Sequence, residues 1–217
     1  MKGRALIVFA RSLKSGQVKS RLTKLISAQE ATDLYRMFLM DSLKQYASLN
    51  VAVRLYMSDG IPPDIPVYGA VIKQQFGKEL GERMSHAFQE TAAAGYRQMV
   101  IIGTDHPTLP DAFIQDAFHA LSDSPSICIG PTEDGGYYLL GMNPFIDGLF
   151  DDMIYSRPDV FELTFTRAYQ SGANVVQLPK WYDVDTPDDL RRLASEEEAV
   201  PINTLKTVKQ LKAKYAL

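Results

Sequence analysis

Short, uninterrupted apolar runs alternate with longer amphipathic stretches along this chain, and that alternation constrains its fold more than any other feature. Ala5–Ala10 is apolar throughout, as a strand covered on both faces must be. Val51–Met57, Val67–Ile72, Met99–Ile102, Ser126–Ile129, Tyr137–Leu140 and Asn174–Leu178 read as further strands. Between them the spacing is helical. One helix starts at the capping box Ser27-Ala28-Gln29-Glu30 and carries Leu34, Phe38, Leu39 and Ser42 on one face. Leu80–Ala94 is a second helix, stopped by Gly95. Asp111–Leu121, Pro158–Gln170, Pro187–Ser195 and a basic terminal stretch, Leu205–Tyr215, complete the set. Strands alternating with helices predict an α/β fold with a mainly parallel sheet.

The chain has 217 residues without an internal repeat, a low-complexity segment or a dividing linker, so one domain over residues 1–217 is expected. Its net charge of −3 gives no reason to expect nucleic acid or membrane as a partner. The apolar run at Ala5–Ala10 is too short for a signal segment, and a cytoplasmic location is the expectation. Cys128 is the one cysteine, which excludes an internal disulfide and a cysteine-rich metal site. Charge is unevenly spread. From Met1 to Gln29 there are seven basic residues and no acidic one, whereas Asp183 to Glu198 holds seven acids against Arg191 and Arg192.

Four segments carry candidate chemistry. The loop leaving the first strand contains Arg11, Gly16, Lys19 and Arg21. In open α/β sheets ligands bind beyond the carboxyl ends of the strands, so these cations are placed to meet phosphate oxygens, with Gly16 allowing close backbone approach. Neither a P-loop nor a dinucleotide fingerprint is present. Asp105 follows the strand Met99–Ile102 directly, within Gly103-Thr104-Asp105-His106-Pro107. A single aspartate there suffices to nucleate a Mg2+ or Mn2+ site, because such ions keep waters and substrate phosphates as their other ligands. Asp134-Gly135-Gly136-Tyr137 is a glycine turn beside polar and aromatic groups, a candidate acceptor site. In Asp183-Val184-Asp185-Thr186-Pro187-Asp188-Asp189, the last four residues make a helix cap. Asp183 and Asp185 are left over on one extended face, and either could complete a metal site with Asp105.

Five stretches together resemble the GT-A-like transferases known as rSAM/selenodomain-associated transferases, within the nucleotide-diphospho-sugar transferase superfamily. They are Phe9-Ala10-Arg11 with Gly16-x-Val18-Lys19-Ser20-Arg21-Leu22; Leu80-Gly81-Glu82-Arg83-Met84; Gly103 to Pro107; Gly130-Pro131 with Asp134 to Gly141; and Asp183 to Leu190. Leu13 stands where the family usually has proline, Ser20 replaces threonine and His106 replaces cysteine. The resemblance implies a GT-A-type three-layer α/β/α sandwich. It implies that Asp105 and Asp185 are the metal ligands and that Arg11, Lys19 and Arg21 hold phosphate. Three functions follow as alternatives: nucleotidyl transfer from a nucleoside triphosphate to a phosphorylated small-molecule acceptor, which is slightly favoured; glycosyl transfer from a nucleotide sugar; and a nucleotide-binding module without catalysis.

Overall fold

A computed structural model describes residues 2–155, 157–215 and 217. The first apolar run forms β1 (Lys2–Ala10), and its side chains divide between two cores. Leu6, Val8 and Ala10 face one cluster and Ile7 the opposite one, all at most 1% exposed. The alternation repeats in β4 (Tyr96–Ile102), where Val100 and Ile102 join the first cluster while Met99 and Ile101 join the second. Strands buried on both faces need helices on both faces. On one side lie α1 (Ala28–Ala47) and α3 (Asp111–Ala120), supplying Leu39, Leu43, Ile114 and Phe118. On the other lie α2 (Leu80–Ala93) and α4 (Val160–Gln170), supplying Met84, Phe88 and Ala168. The result is the expected α/β/α sandwich.

The remaining strands are β2 (Ala52–Met57), β3 (Val71–Gln74), β5 (Ser126–Pro131), β6 (Tyr137–Asn143) and β7 (Asn174–Gln177). The seven-stranded sheet has the order β3-β2-β1-β4-β6-β5-β7. Only β6 runs against the rest, paired antiparallel to both β4 and β5. A third apolar cluster lies outside α1, where Val18, Leu22, Leu34 and Tyr35 meet α5 (Pro187–Ser195) and α6 (Ile202–Tyr215). No helix among the described residues is long and apolar enough to cross a membrane.

Two local expectations are corrected. The third strand occupies Val71–Gln74, not Val67–Ile72, because Tyr68 (φ 49°) and Gly69 (φ 83°) form a left-handed turn closed by Ala70 N–H donating to Val67 O. The loop after β1 is not wholly irregular; Ser20–Lys24 forms a 3₁₀ turn whose Leu22 is fully buried. The capping boxes at Ser27 and Thr186 are both present, with Glu30 and Asp189 as their reciprocal acceptors.

Candidate active site

β1 and β4 are parallel neighbours, with Val8 paired to Ile102, so their outgoing loops emerge side by side at the carboxyl edge of the sheet. From β1 the chain continues to β2 on one side, while β4 lies on the other; this is the switch point at which such sheets open a crevice. Tyr35 of α1 ties the two loops together. Its hydroxyl accepts from Arg11 N (2.9 Å) and shares a 2.7 Å hydrogen bond with the Thr104 hydroxyl. Burial pushes the Tyr35 phenol up to about 12, so it stays protonated in neutral solution. A third segment, Trp181 to Asp185, runs along the end of β5 through Trp181 N–H to Pro131 O and reaches the corner through Val184 N–H to Asp105 O (2.8 Å).

These three segments bring Arg11, Lys19, Arg21, Asp105 and Asp185 around one cavity of about 180 Å3. Lys19 is its centre. Its Nζ lies 2.5 Å from Asp105 Oδ1 and 2.8 Å from Asp185 Oδ1, and its side chain is 2% exposed. Burial alone would lower the lysine pKa, but the fields of Asp105 and Asp185 outweigh it and raise it. Burial would likewise raise the Asp105 carboxyl, and the Lys19 ammonium holds it below the ordinary carboxylate range instead. The Lys19 backbone adopts φ 50°, ψ 36°, a left-handed conformation that costs a residue with a Cβ about 1–2 kcal/mol. Strain of this kind is held in place by the surrounding contacts, here the aspartate pair. Arg21 is exposed, with Nη1 3.8 Å from Asp185 Oδ2, and the exposed Arg11 lines the same cavity.

The cavity opens into a larger cleft of about 360 Å3. Asp134 and Gly136 from the turn between β5 and β6 line it, as do Tyr137 at the start of β6, Asp183 and Asp185. The other two predicted glycines have local duties. Gly135, at φ 92°, packs so closely on Pro158 that a Cβ would overlap the Pro158 carbonyl. Gly16 sits in an open turn at φ 81° and is outside the cavity lining. Asp183 and Asp185 do not share partners. Asp185 meets Lys19, whereas Asp183 Oδ1 lies 3.4 Å from His106 Nδ1, with the imidazole buried and the Asp183 side chain partly exposed. Burial raises the Asp183 carboxyl above its usual value, opposed by His106.

Residues without a predicted role complete the cleft. Gln75, just after β3, spans the ends of β2 and β1, donating both amide hydrogens to Ala10 O (3.0 Å) and Tyr56 O (3.1 Å). Arg83 is fixed by bonds from Nε to Gly77 O (2.9 Å) and Nη2 to Lys78 O (3.2 Å). Misplacing β3 hid Gln75, and the apolar spacing of α1 hid the polar tip of Tyr35.

The donor set suits a hard divalent cation. Asp105 and Asp185 direct one oxygen each at a common point, now taken by the Lys19 ammonium. Among the described residues no group of three or more His, Cys, Asp and Glu side chains is arranged to hold a metal. A cation at the point between Asp105 and Asp185 would take two carboxylates from the protein and fill its other positions with water and phosphate, the habit of Mg2+.

A family model described as an uncharacterized protein conserved in bacteria (DUF2064) matches residues 50–157. Among solved structures, the chain is similar to a protein from Desulfovibrio desulfuricans named "putative nucleotide-diphospho-sugar transferase", with 31% identity, 99% of each chain covered and a TM-score of 0.87. A cytidylyltransferase from Leptospira borgpetersenii shares the fold at 14% identity, covering 99% of this chain and 94% of that one, with a TM-score of 0.54. CMP:2-keto-3-deoxy-manno-octonic acid synthetase, solved with CTP, shares it at 12% identity, 89% and 97% coverage and a TM-score of 0.50. A search of curated proteins finds no match.

Proposed function

We propose, from the premise that the chain belongs to the nucleotide-diphospho-sugar transferase superfamily, that it is a metal-dependent transferase acting on a nucleoside triphosphate or nucleotide sugar. Nucleotidyl transfer to a phosphorylated small-molecule acceptor is the favoured reaction. One observation carries this reading: three cations and two carboxylates, Arg11, Lys19, Arg21, Asp105 and Asp185, line a single cavity at the switch point of the sheet. The closer likeness to rSAM/selenodomain-associated transferases is part of the same proposal.

In this reaction an acceptor phosphate oxygen attacks the α-phosphorus, and the bond from that phosphorus to its bridging oxygen breaks to release pyrophosphate. No protein nucleophile is needed, so positioning and charge neutralisation carry the catalysis. Mg2+ or Mn2+, held by Asp105 and Asp185, would supply positive charge to the phosphate oxygens. Arg11 and Arg21 present exposed guanidinium groups that pair with two oxygens each. Gln75 has committed both amide hydrogens to the backbone, which leaves its carbonyl oxygen to accept from a nucleobase N–H. Asp134, Gly136 and Tyr137 would face the acceptor.

Glycosyl transfer is the second reading, and Asp183 is the feature that favours it. A cleft-lining carboxyl raised by burial suits a general base for an acceptor hydroxyl. Incubation with Mg2+, each nucleoside triphosphate and a panel of phosphorylated acceptors should release pyrophosphate. Release of nucleoside diphosphate from a nucleotide sugar, with no pyrophosphate from any triphosphate, would instead select the glycosyl reading. Metal-dependent nucleotide binding without turnover of either donor class would contradict both and favour a binding module.

A further inference from the structure

We propose that Lys19 is the resident counter-ion of the Asp105–Asp185 pair, and that it must leave the pair before a divalent cation can enter. Metal alone is thereby opposed, and metal and polyphosphate bind together. The inference takes its ligands from the proposed function but rests on the geometry of three side chains.

Two carboxylates directed at one point repel each other unless a cation lies between them. Here the ammonium does so, 2.5 Å from one oxygen and 2.8 Å from the other. The side chain is walled in, with Nζ 5.8 Å from the ring centroids of both Tyr35 and Phe38. A divalent ion using the same two oxygens would be forced against the ammonium. Lys19 cannot stay and the metal enter.

A polyphosphate in the same cavity, which Arg11, Ser20 and Arg21 line together with Lys19, Asp105 and Asp185, would offer the ammonium a destination of opposite charge. Polyphosphate oxygens placed there would accept the lysine as it leaves the carboxylates. Each ligand then removes an obstacle to the other, and by linkage each strengthens the other's binding equally. A bare metal ion offers Lys19 nothing in exchange.

Binding of Mn2+ alone, Mn2+ with inorganic tripolyphosphate, and Mn2+ with each nucleoside triphosphate would be measured by paramagnetic titration, alongside melting temperature. In the wild type, tripolyphosphate should tighten Mn2+ binding by about 5- to 150-fold, the usual range for coupled sites. Lys19→Met should bind free Mn2+ more tightly by a factor in the same range of about 5- to 150-fold, and Mn2+ should raise its melting temperature more than it raises that of the wild type. Lys19→Arg keeps the charge and should go on excluding free Mn2+. Unchanged or weaker Mn2+ binding by Lys19→Met would overturn the inference. So would a wild type whose Mn2+ affinity ignores tripolyphosphate, a result obtainable even if Lys19→Met fails to fold. Absence of nucleotide turnover with these metal responses intact would refute the proposed function alone.

Discussion

The Tyr35 hydroxyl joins Arg11 N and Thr104, and so sets the spacing between the basic loop and the corner that carries Asp105. Tyr35→Phe keeps the ring over which Lys19 sits but removes both bonds. Leaving a buried partner unsatisfied costs about 1–3 kcal/mol, so urea denaturation should show a loss of that size, accompanied by weaker nucleotide binding. A variant as stable as the wild type would show that the loops hold their places without the latch. Gly135 makes a second residue-scale prediction. It combines φ 92° with a backbone contact that leaves no room for a Cβ. Gly135→Ala should destabilise the fold by about 1–3 kcal/mol or more, whereas Gly16→Ala, strained in φ but in open space, should cost less. Equal losses at the two positions would contradict the contact with Pro158.

Among the elements, α6 is held to α1 at both ends by carboxylates. At its start Asp41 accepts from Thr204 N and Thr204 Oγ1, both at 2.8 Å, and from Asn203 Nδ2 at 2.7 Å. Asp41 thereby acts as a cap supplied from another helix, and Asp41→Ala should cost about 0.5–2 kcal/mol, read from chemical denaturation. At its far end Lys214 and Tyr215 meet Glu30 at 2.7 Å each. The Lys214 and Ser27 bonds, joined by that of Tyr215, hold the Glu30 carboxyl down at about 2, from an ordinary 4.5. A depressed carboxylate contributes stability that is present above its unfolded pKa and lost as pH falls through its folded value. Hydrogen exchange in the last turn of α6, corrected for intrinsic rates, should therefore hold steady down to about pH 4.5 and quicken toward pH 2. Glu30→Gln should show the faster exchange already at neutral pH. The cap at Ser27 was legible in sequence because its partners lie three residues apart. The Asp41 and Lys214 contacts were not, because they join residues more than 160 positions apart.

For the whole molecule, the feature that matters is the point where β1 and β4 part company. Their carboxyl ends were readable from apolar runs stopping at Ala10 and Ile102, and with them the neighbourhood of Arg11 and Asp105. Sheet order was not readable, since parallel pairing is decided by long-range packing rather than by spacing along each strand. The direction of the cations escaped for the same reason. A count of Arg11, Lys19 and Arg21 on one loop points all three at phosphate, yet Lys19 is drawn inward by Asp185, 166 residues away. The proposed function joins the carboxylates of Asp105 and Asp185, the exposed arginines and the larger cleft through one event, the entry of a metal-bound phosphate into this cavity. Calorimetric titration of a nucleoside triphosphate with Mg2+ into the wild type and Asp105→Asn tests that most directly. The expected result is metal-dependent binding by the wild type and at least about a tenfold loss in the variant, a difference of about 1.4 kcal/mol or more. Equal affinity in the two proteins, or wild-type binding indifferent to Mg2+, would contradict it.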